Sequence, residues 1–456
     1  MIRFQKQLAY GESVITLGKS GMDTTIGGVP GDFPEGQWTL QVCLFAEHLD
    51  QIMNGRSVSF SVTVSDEKSV VTEVIGDHLW TEGSFSYKNY DFTQMYQKES
   101  RWYKGDLHTH TRLSDGKETT AHATKKAERD QLDYYVPTEH NVVHTGWWDT
   151  DVMILPGVEM TTILGHANLF GLTGRPETLD KILVDKDEKK LALDIEAMIQ
   201  ECKRKGWLFS VNHPFLYIWK WLYEDLQLSD MDCLEIINDP TYAADPKAGA
   251  EEANQKAVYL SDLLWADGYR VCAIGGSDSH NLLEERYADA TEPSVPGDPA
   301  TWICMDGLTP EHLMKSLKKC RAYVTRHCQI KVILKADGKP VFWGDQLPDT
   351  IKELTYEIEF SDLSEKPQVF FYKNGHRQEC DRIVKSEIGY MATGAISPDT
   401  CEYNWIRFGA EKQNGEFLLY ANPVTIGQKK EHQFHTFGEV KTYLEGYGKY
   451  DKRNSV

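Results

Sequence analysis

Between His108 and His280 the chain sets out imidazoles and carboxylates at spacings that suit metal-dependent hydrolysis. His108 and His110 form a His-x-His pair in GDLHTH. Alternate residues of a strand point to one side, so an extended His-x-His can aim both rings at one ion. Alone the pair is a weak signal, and accumulation is what makes it strong. Asp115 sits in HTRLSDG, His140 ends YYVPTEH, Glu159 ends ILPGVE, His166 opens HANLFGL, His213 lies in SVNHP, and Asp278 and His280 end GGSDSH. Polar groups at the ends of buried strands are costly unless paired or liganded, and a metal cluster supplies that compensation. Imidazole and carboxylate without thiolate suit Zn²⁺, Mn²⁺ or Fe²⁺. The set exceeds what one ion uses, so about two to three divalent ions sharing carboxylates are expected. Such ions hold a bridging hydroxide and clamp a phosphoryl or carbonyl oxygen. The nucleophile is then the metal-bound hydroxide, and no catalytic Ser or Cys is required.

The elements that must position these groups read as parallel βα units. From about Arg101, short apolar runs alternate with helical stretches. The candidate strands are GDLHTH, YYVPTEH, VMILPGVE, HANLFGL, WLFSVNHP, CLEIIND and VCAIGGSDSH. Runs so continuously apolar suit a sheet buried on both faces. Seven of them suggest a closed or nearly closed barrel, with the ligands mostly at the C-terminal ends where barrel enzymes place their sites. CLEIIND offers Asn238 and Asp239 instead of His.

The flanks read as β. VSFSVTVSD and VVTEVIGDHLW alternate near the N-terminus, and KVILKADG, LTYEIEFSD, QVFFYKNGHR and NWIRFGA follow the barrel. The expected division is an N-terminal β-sandwich over 1–100, the barrel over 101–328, a C-terminal β-sandwich over 329–427 and a polar, peripheral tail over 428–456. The fold class is α/β. A net charge of −20 argues against nucleic-acid binding. Nine scattered cysteines without a Cys-x-x-Cys pair read as free thiols. No run of about 18 apolar residues appears, so no membrane span is expected. The chain is placed in the cytoplasm with a small-molecule substrate, and a homo-oligomer is left open.

Other residues near the motifs have two readings each. Arg112 and Arg286 suit a phosphate or carboxylate, or a solvated salt bridge. His144 lies near enough to His140 in sequence to touch substrate. Asn238 is a candidate substrate contact. Trp147, Trp148, Trp219 and Trp221 either wall a pocket or pack against neighbouring elements. The glycines of IGGSDSH are room for backbone near the metals.

Taken in order, GDLHTHTRLSDG, PTEHN, PGVE, HANLFG, NHP and GGSDSH resemble the PHP family, the polymerase and histidinol phosphatase superfamily of metal-dependent phosphoesterases. The resemblance implies a distorted (β/α)₇ barrel. It implies one ion on His108, His110, Glu159 and Asp278, a second on Asp115, His140 and His280, and a third on Glu159, His166 and His213. Asp115 and His280 are the side chains expected to act with the hydroxide in catalysis. Where the family has Thr-Asp-His-Asn, this chain has Thr138-Glu139-His140-Asn141. The extra methylene of Glu139 is expected to shift a contact to His140. The wider run, with ILPGVEMTT, LLWADGYRVCAIGGSDSH, KKCRAYVT and YANPV, looks like the CehA/McbA-type branch, which is named for aryl carbamate hydrolysis. Phosphoester hydrolysis is therefore the first reading, and carbamate, ester or amide hydrolysis at the same metals the second. A reading of another class is a non-catalytic carbohydrate- or protein-binding assembly.

Overall fold

The structure is a computed structural model, and it describes all residues except 1, 9–12, 34, 44–58, 67–69, 185–186, 245–249, 289, 291 and 447–456. The chain is mixed α/β. The elements that matter for the site are β1 (Gln97–Thr109), α1 (Thr120–Arg129), β2 (Tyr134–Pro137), β3 (Met153–Ile154), β4 (Gly157–Thr162), β5 (Gly165–Phe170), α2 (Glu188–Lys205), β6 (Leu208–Val211), β7 (Cys233–Asn238), α3 (Ala250–Ala266) and β8 (Cys272–Gly276). The helices start where the sequence offers caps. Thr119 accepts from the His122 amide, and Asp187 accepts from the amides of Lys189 and Lys190. α2 ends on Gly206 at φ +77°, with Lys203, Arg204 and Lys205 favourably placed on its C-terminal dipole.

Two sheets carry the site. β1, β2 and β3 run parallel in that order. β6, β7 and β8 also run parallel. β4, β5 and β6, however, are antiparallel neighbours, which departs from the all-parallel order expected. The reason is the connection: only Ile163 and Leu164 lie between β4 and β5, and a parallel pair needs a crossover of about a dozen residues. VMILPGVE, read as one strand, is split between the two sheets around Pro156, a residue without an amide proton to give a ladder. The sheets meet at their margins through parallel bridges, Thr109 to Ser279 and His140 to Glu159. Successive residues of a strand enter different cores. Tyr134 and Val136 pack with Leu107 and Leu208, whereas Tyr135 packs with Ala123 and Ala127 of α1. Burial on both faces is why these runs are continuously apolar.

The other edge of β1 is taken by β9 (Ala300–Leu308), which runs antiparallel to it and on to β10 (Ala322–Thr325). The same sheet continues through Phe417–Ala421 into the C-terminal strands. A five-stranded antiparallel sheet, built around Gln329–Ala336, Leu354–Ser361 and Gly389–Ile396, shares one hydrophobic core with those strands. The sheet thus runs unbroken across the expected boundary at 328/329.

Two flanking expectations differ from what is observed. Over 1–100, no sheet of the segment's own is seen among the described residues. VSFSVTVSD begins on Val58, outside the described residues, and 59–66 form no strand. Val29, Trp80, Phe85 and Tyr87 bury themselves in the large central core instead, and His78–Leu79 pairs with Gly146–Trp147. Those four residues serve the central unit, whereas Trp38, Leu40, Phe60, Val62 and Val64 of the same segment stay exposed. The tail, read as polar and peripheral, docks through helix Phe437–Gly446, with Phe437 and Val440 fully buried. Burying a Phe contributes about 1.5–3 kcal/mol, enough to hold a short helix against Leu226 and Leu228. Asp267 fixes its approach by accepting from the amides of Gln433 and Phe434. All nine cysteines are free thiols. Among the described residues no helix is long and apolar enough to cross a membrane.

Candidate metal centre

The ends of these strands bring all nine candidate ligands together. Four sets of donor atoms lie within 4.8 Å of one another: His110, Asp115, His140 and His280; His108, His213 and Asp278; His108, His110 and Glu159; and His140, Glu159 and His166. These sets cut across the grouping that the family resemblance implies, since His110 joins Asp115 and His213 joins His108 and Asp278.

Glu159 is the hub. Its Oε1 lies 3.3 Å from His108 Nε2, 3.1 Å from His166 Nδ1 and 3.5 Å from His213 Nε2. Its Oε2 lies 3.5 Å from His110 Nε2 and 2.7 Å from His140 Nδ1. Asp278 Oδ1 lies 3.0 Å from His110 Nε2 and 3.3 Å from His108 Nε2. Asp115 Oδ1 lies 3.3 Å from His280 Nε2 and 3.6 Å from His140 Nε2. Five buried atoms of this cluster, His108 Nε2, His110 Nε2, His213 Nδ1, Glu159 Oε2 and Asp278 Oδ1, have no hydrogen-bond partner of proper geometry. Buried polar atoms are nearly always satisfied. Five such atoms in one cluster, all nitrogen or oxygen, fit divalent ions of the Zn²⁺, Mn²⁺ or Fe²⁺ kind.

The charges agree with that fit. Burial opposes ionisation of Glu159, yet the imidazoles of His140, His108 and His166 hold its carboxyl well below the usual range. Asp278 is held low in the same way, against burial, by His108, His110 and His280. Burial pushes His166 down to about 4. It also lowers His110, helped by the charges of His280 and His140. Both rings therefore keep a free lone pair at neutral pH, as a ligand must. His108, His140 and His280 move the other way, because the carboxylates beside them outweigh burial, and Asp115 takes His280 to about 10.

Backbone geometry is bent to serve the cluster. His213 and Asp278 adopt φ of +25° and +49°, a region side chains other than glycine rarely occupy and one that marks functional sites. Any side chain at Gly276 would run into His108 Cβ and the Glu235 carboxylate. The glycine is thus needed for close approach, as read from IGGSDSH. The cluster is buried except at one side, where the side chains of Asp115 and His280 are 42% and 25% exposed.

Glu235 is the residue that sequence reasoning missed. It lies inside CLEIIND, is buried, and accepts from His108 Nδ1 at 2.9 Å and from the His213 amide at 2.9 Å. A carboxylate on Nδ1 fixes the tautomer, so that Nε2 presents its lone pair to the cluster. The signal was present: a lone Glu in an otherwise apolar strand needs a partner. Replacing Glu235 with Gln is expected to weaken metal affinity by about 10–100-fold, measurable by competition with a chelating dye. Unchanged affinity would show that it does not orient His108.

Of the candidate substrate residues, Asn238 touches the cluster, whereas Arg112 and His144 are paired with carboxylates outside it. Arg112 pairs with Glu73, Nε to Oε1 at 2.9 Å. His144 is buried, with Nε2 2.8 Å from Glu139 Oε1 and its ring against Trp147. Asn238 is buried and donates to Glu235 Oε2 and Asp278 Oδ2, so it orients carboxylates of the cluster. Arg286 is exposed. Glu139 bonds to groups other than His140, in keeping with the shift expected of its extra methylene. Its longer side chain reaches Thr111, Ser114 and His144. Of the tryptophans, Trp147 and Trp148 bond to Thr124 and Thr120 of α1, and Trp221 is buried on the Tyr223 carbonyl.

No family model matches the chain, and no curated protein matches it. Solved structures do resemble it. A two-domain protein from Bacteroides vulgatus ATCC 8482, described as containing a predicted PHP-like metal-dependent phosphoesterase, shares 16% identity at a TM-score of 0.36, over 71% of this chain and 95% of that one. A protein from Bifidobacterium adolescentis ATCC 15703, provisionally assigned as a metal-dependent phosphoesterase, shares 14% identity at a TM-score of 0.25, over 42% of this chain and 92% of that one. The assignment of ligands rests on this chain's own geometry.

Proposed function

We propose that the chain is a metal-dependent hydrolase of the PHP type that acts on phosphate esters. The observation that carries this reading is the convergence of nine nitrogen and oxygen donors around Glu159, with five of their buried atoms lacking hydrogen-bond partners. About two to three divalent ions bound there would acidify a water and neutralise charge on a phosphoryl oxygen.

The chain's own residues prepare that chemistry. Glu235 holds His108 in the tautomer whose Nε2 faces the cluster. Asn238 donates to Asp278 Oδ2 at 3.2 Å and leaves Oδ1 for ligation. Glu139 accepts from the amides of Thr111 and Ser114 and so fixes the turn that carries Asp115. Asp115 and His280 stand on the exposed side and meet the substrate first. The buried remainder excludes bulk water, which strengthens each electrostatic contact.

The reading is tested by turnover of phosphate monoesters, phosphodiesters and aryl carbamates, each with Mn²⁺ and with Zn²⁺. Hydrolysis of phosphate esters supports it. Hydrolysis of carbamates or carboxylic esters alone would replace it with the second enzyme reading. Inertness of a fully metal-loaded protein toward all of them would favour a binding assembly.

A further inference from the structure

Asp115 and His280, the ligand candidates on the exposed side, stand on loops far apart in the chain. Asp115 lies between β1 and α1, and His280 follows β8. No ladder or helix fixes either loop, so bonds between the loops must set the gap between the two ligands. The outer bonds run through Lys117. Its amide donates to the His280 carbonyl at 2.8 Å, and its ammonium donates to Asn281 Oδ1 at 3.2 Å. The inner bonds run through Glu118, which is buried. Its Oε1 accepts from the Leu283 amide at 3.0 Å, and its carbonyl accepts from the Arg112 amide at 2.8 Å. Glu118 thus holds both the turn that leads to Asp115 and the segment that follows His280.

Behind this seam stands Lys126 of α1, only 4% exposed. Lysine is almost never buried so far unless it is paired. Its ammonium donates to the Asn281 carbonyl at 2.8 Å and lies 3.6 Å from Glu118 Oε1. One cation therefore touches the residue next to His280 and the residue that braces the Asp115 turn. The helix that carries it is a firm post. Ala123 and Ala127 are buried in the central core, and the hydroxyls of Thr120 and Thr124 accept from the indoles of Trp148 and Trp147. The reach of this device is narrow. Among the described residues, Asp115 and His280 belong to the donor set completed by His110 and His140, and to none of the other three sets.

We propose that the buried Lys126–Glu118 pair sets the gap between Asp115 and His280, and so fixes the affinity of the His110, Asp115, His140 and His280 set for its ion without altering the other sets. Both residues are positioning residues, since they act through the two loops. The proposal rests on the cluster binding metal and is independent of the bond that is cleaved. Its test loads the wild-type chain, Lys126→Met and Glu118→Gln with Mn²⁺. Bound ions are counted by elemental mass spectrometry, and their affinities are read by competition with a chelating dye. Each variant should bind one ion roughly tenfold or more weakly, and the remaining ions as the wild type does. If Lys126→Met fails to fold, Glu118→Gln decides alone, because its amide oxygen still accepts from Leu283. Wild-type affinity for every ion in the folded variants, or an equal loss for all ions, would overturn the proposal. A wild-type chain that binds fewer than about one ion would remove the metal centre and the proposal with it, which separates that failure from the first.

Discussion

Glu159→Gln is expected to lower turnover by about 10³-fold, because a lost ligand charge is worth several kcal/mol and about 4 kcal/mol corresponds to that factor. The substitution is isosteric and opens no cavity. It removes the one negative charge that faces His108, His110, His140, His166 and His213 together. It also aims an amide N–H₂ at nitrogen donors, which cannot accept from it while they bind metal. Metal content should fall with activity, as measured by elemental analysis after dialysis. The metal-free variant has a second signature. In the wild-type protein, burial lowers the proton affinity of His140, but Glu159 and Asp115 outweigh it and raise the pKa. Loss of the Glu159 charge should therefore move the His140 titration downward, as followed by NMR of the ring. Wild-type turnover and metal content in Glu159→Gln would remove this residue from the centre.

Glu139→Ala is expected to cost about 3–5 kcal/mol of stability, the range for removing one partner from a buried charged network. Glu139 is fully buried and accepts from the Thr111 amide at 3.0 Å, the Thr111 hydroxyl at 2.6 Å, the Ser114 amide at 3.1 Å and His144 Nε2 at 2.8 Å. Burial opposes its charge, yet the bonds from His144 and Ser114 hold the carboxyl below its ordinary value. Truncation takes the acceptor from the buried Thr111 amide and from the hydroxyls of Thr111 and Ser114, while the Ser114 amide keeps the Thr111 carbonyl; each group left unsatisfied costs about 1–3 kcal/mol. The turn it braces leads directly to Asp115, so activity should fall as well. Denaturant unfolding measures the first effect. An unchanged midpoint in Glu139→Ala would mean that the turn is held by other contacts.

The site was more legible in the sequence than the frame around it, for a physical reason. Most of the nine ligand candidates stand at or near the end of an apolar run, where a polar residue is conspicuous. Glu235 was less so, because CLEIIND reads as a strand whose polar residues come last. Its role follows only when His108 Nδ1 is seen 2.9 Å away. His144 and Arg112 were misplaced because nearness in sequence does not say which way a side chain turns. His144 turns inward to Glu139, and Arg112 outward to Glu73. Periodicity marked the strands but could not give their direction. The short turn at Ile163-Leu164 was the available signal for the antiparallel hairpin. The tail from 428 looked peripheral because its charges dominate its composition, whereas its anchors are few: Phe434 before the helix, and Phe437, Val440 and Leu444 spaced as one helix face.

The central claim is that these nine residues form a multinuclear metal centre. Its most direct test is the metal content of the wild-type chain after reconstitution with Mn²⁺ or Zn²⁺ and removal of free ion, read by elemental mass spectrometry. About two to three ions per chain are expected, and fewer than about one would contradict a multinuclear centre.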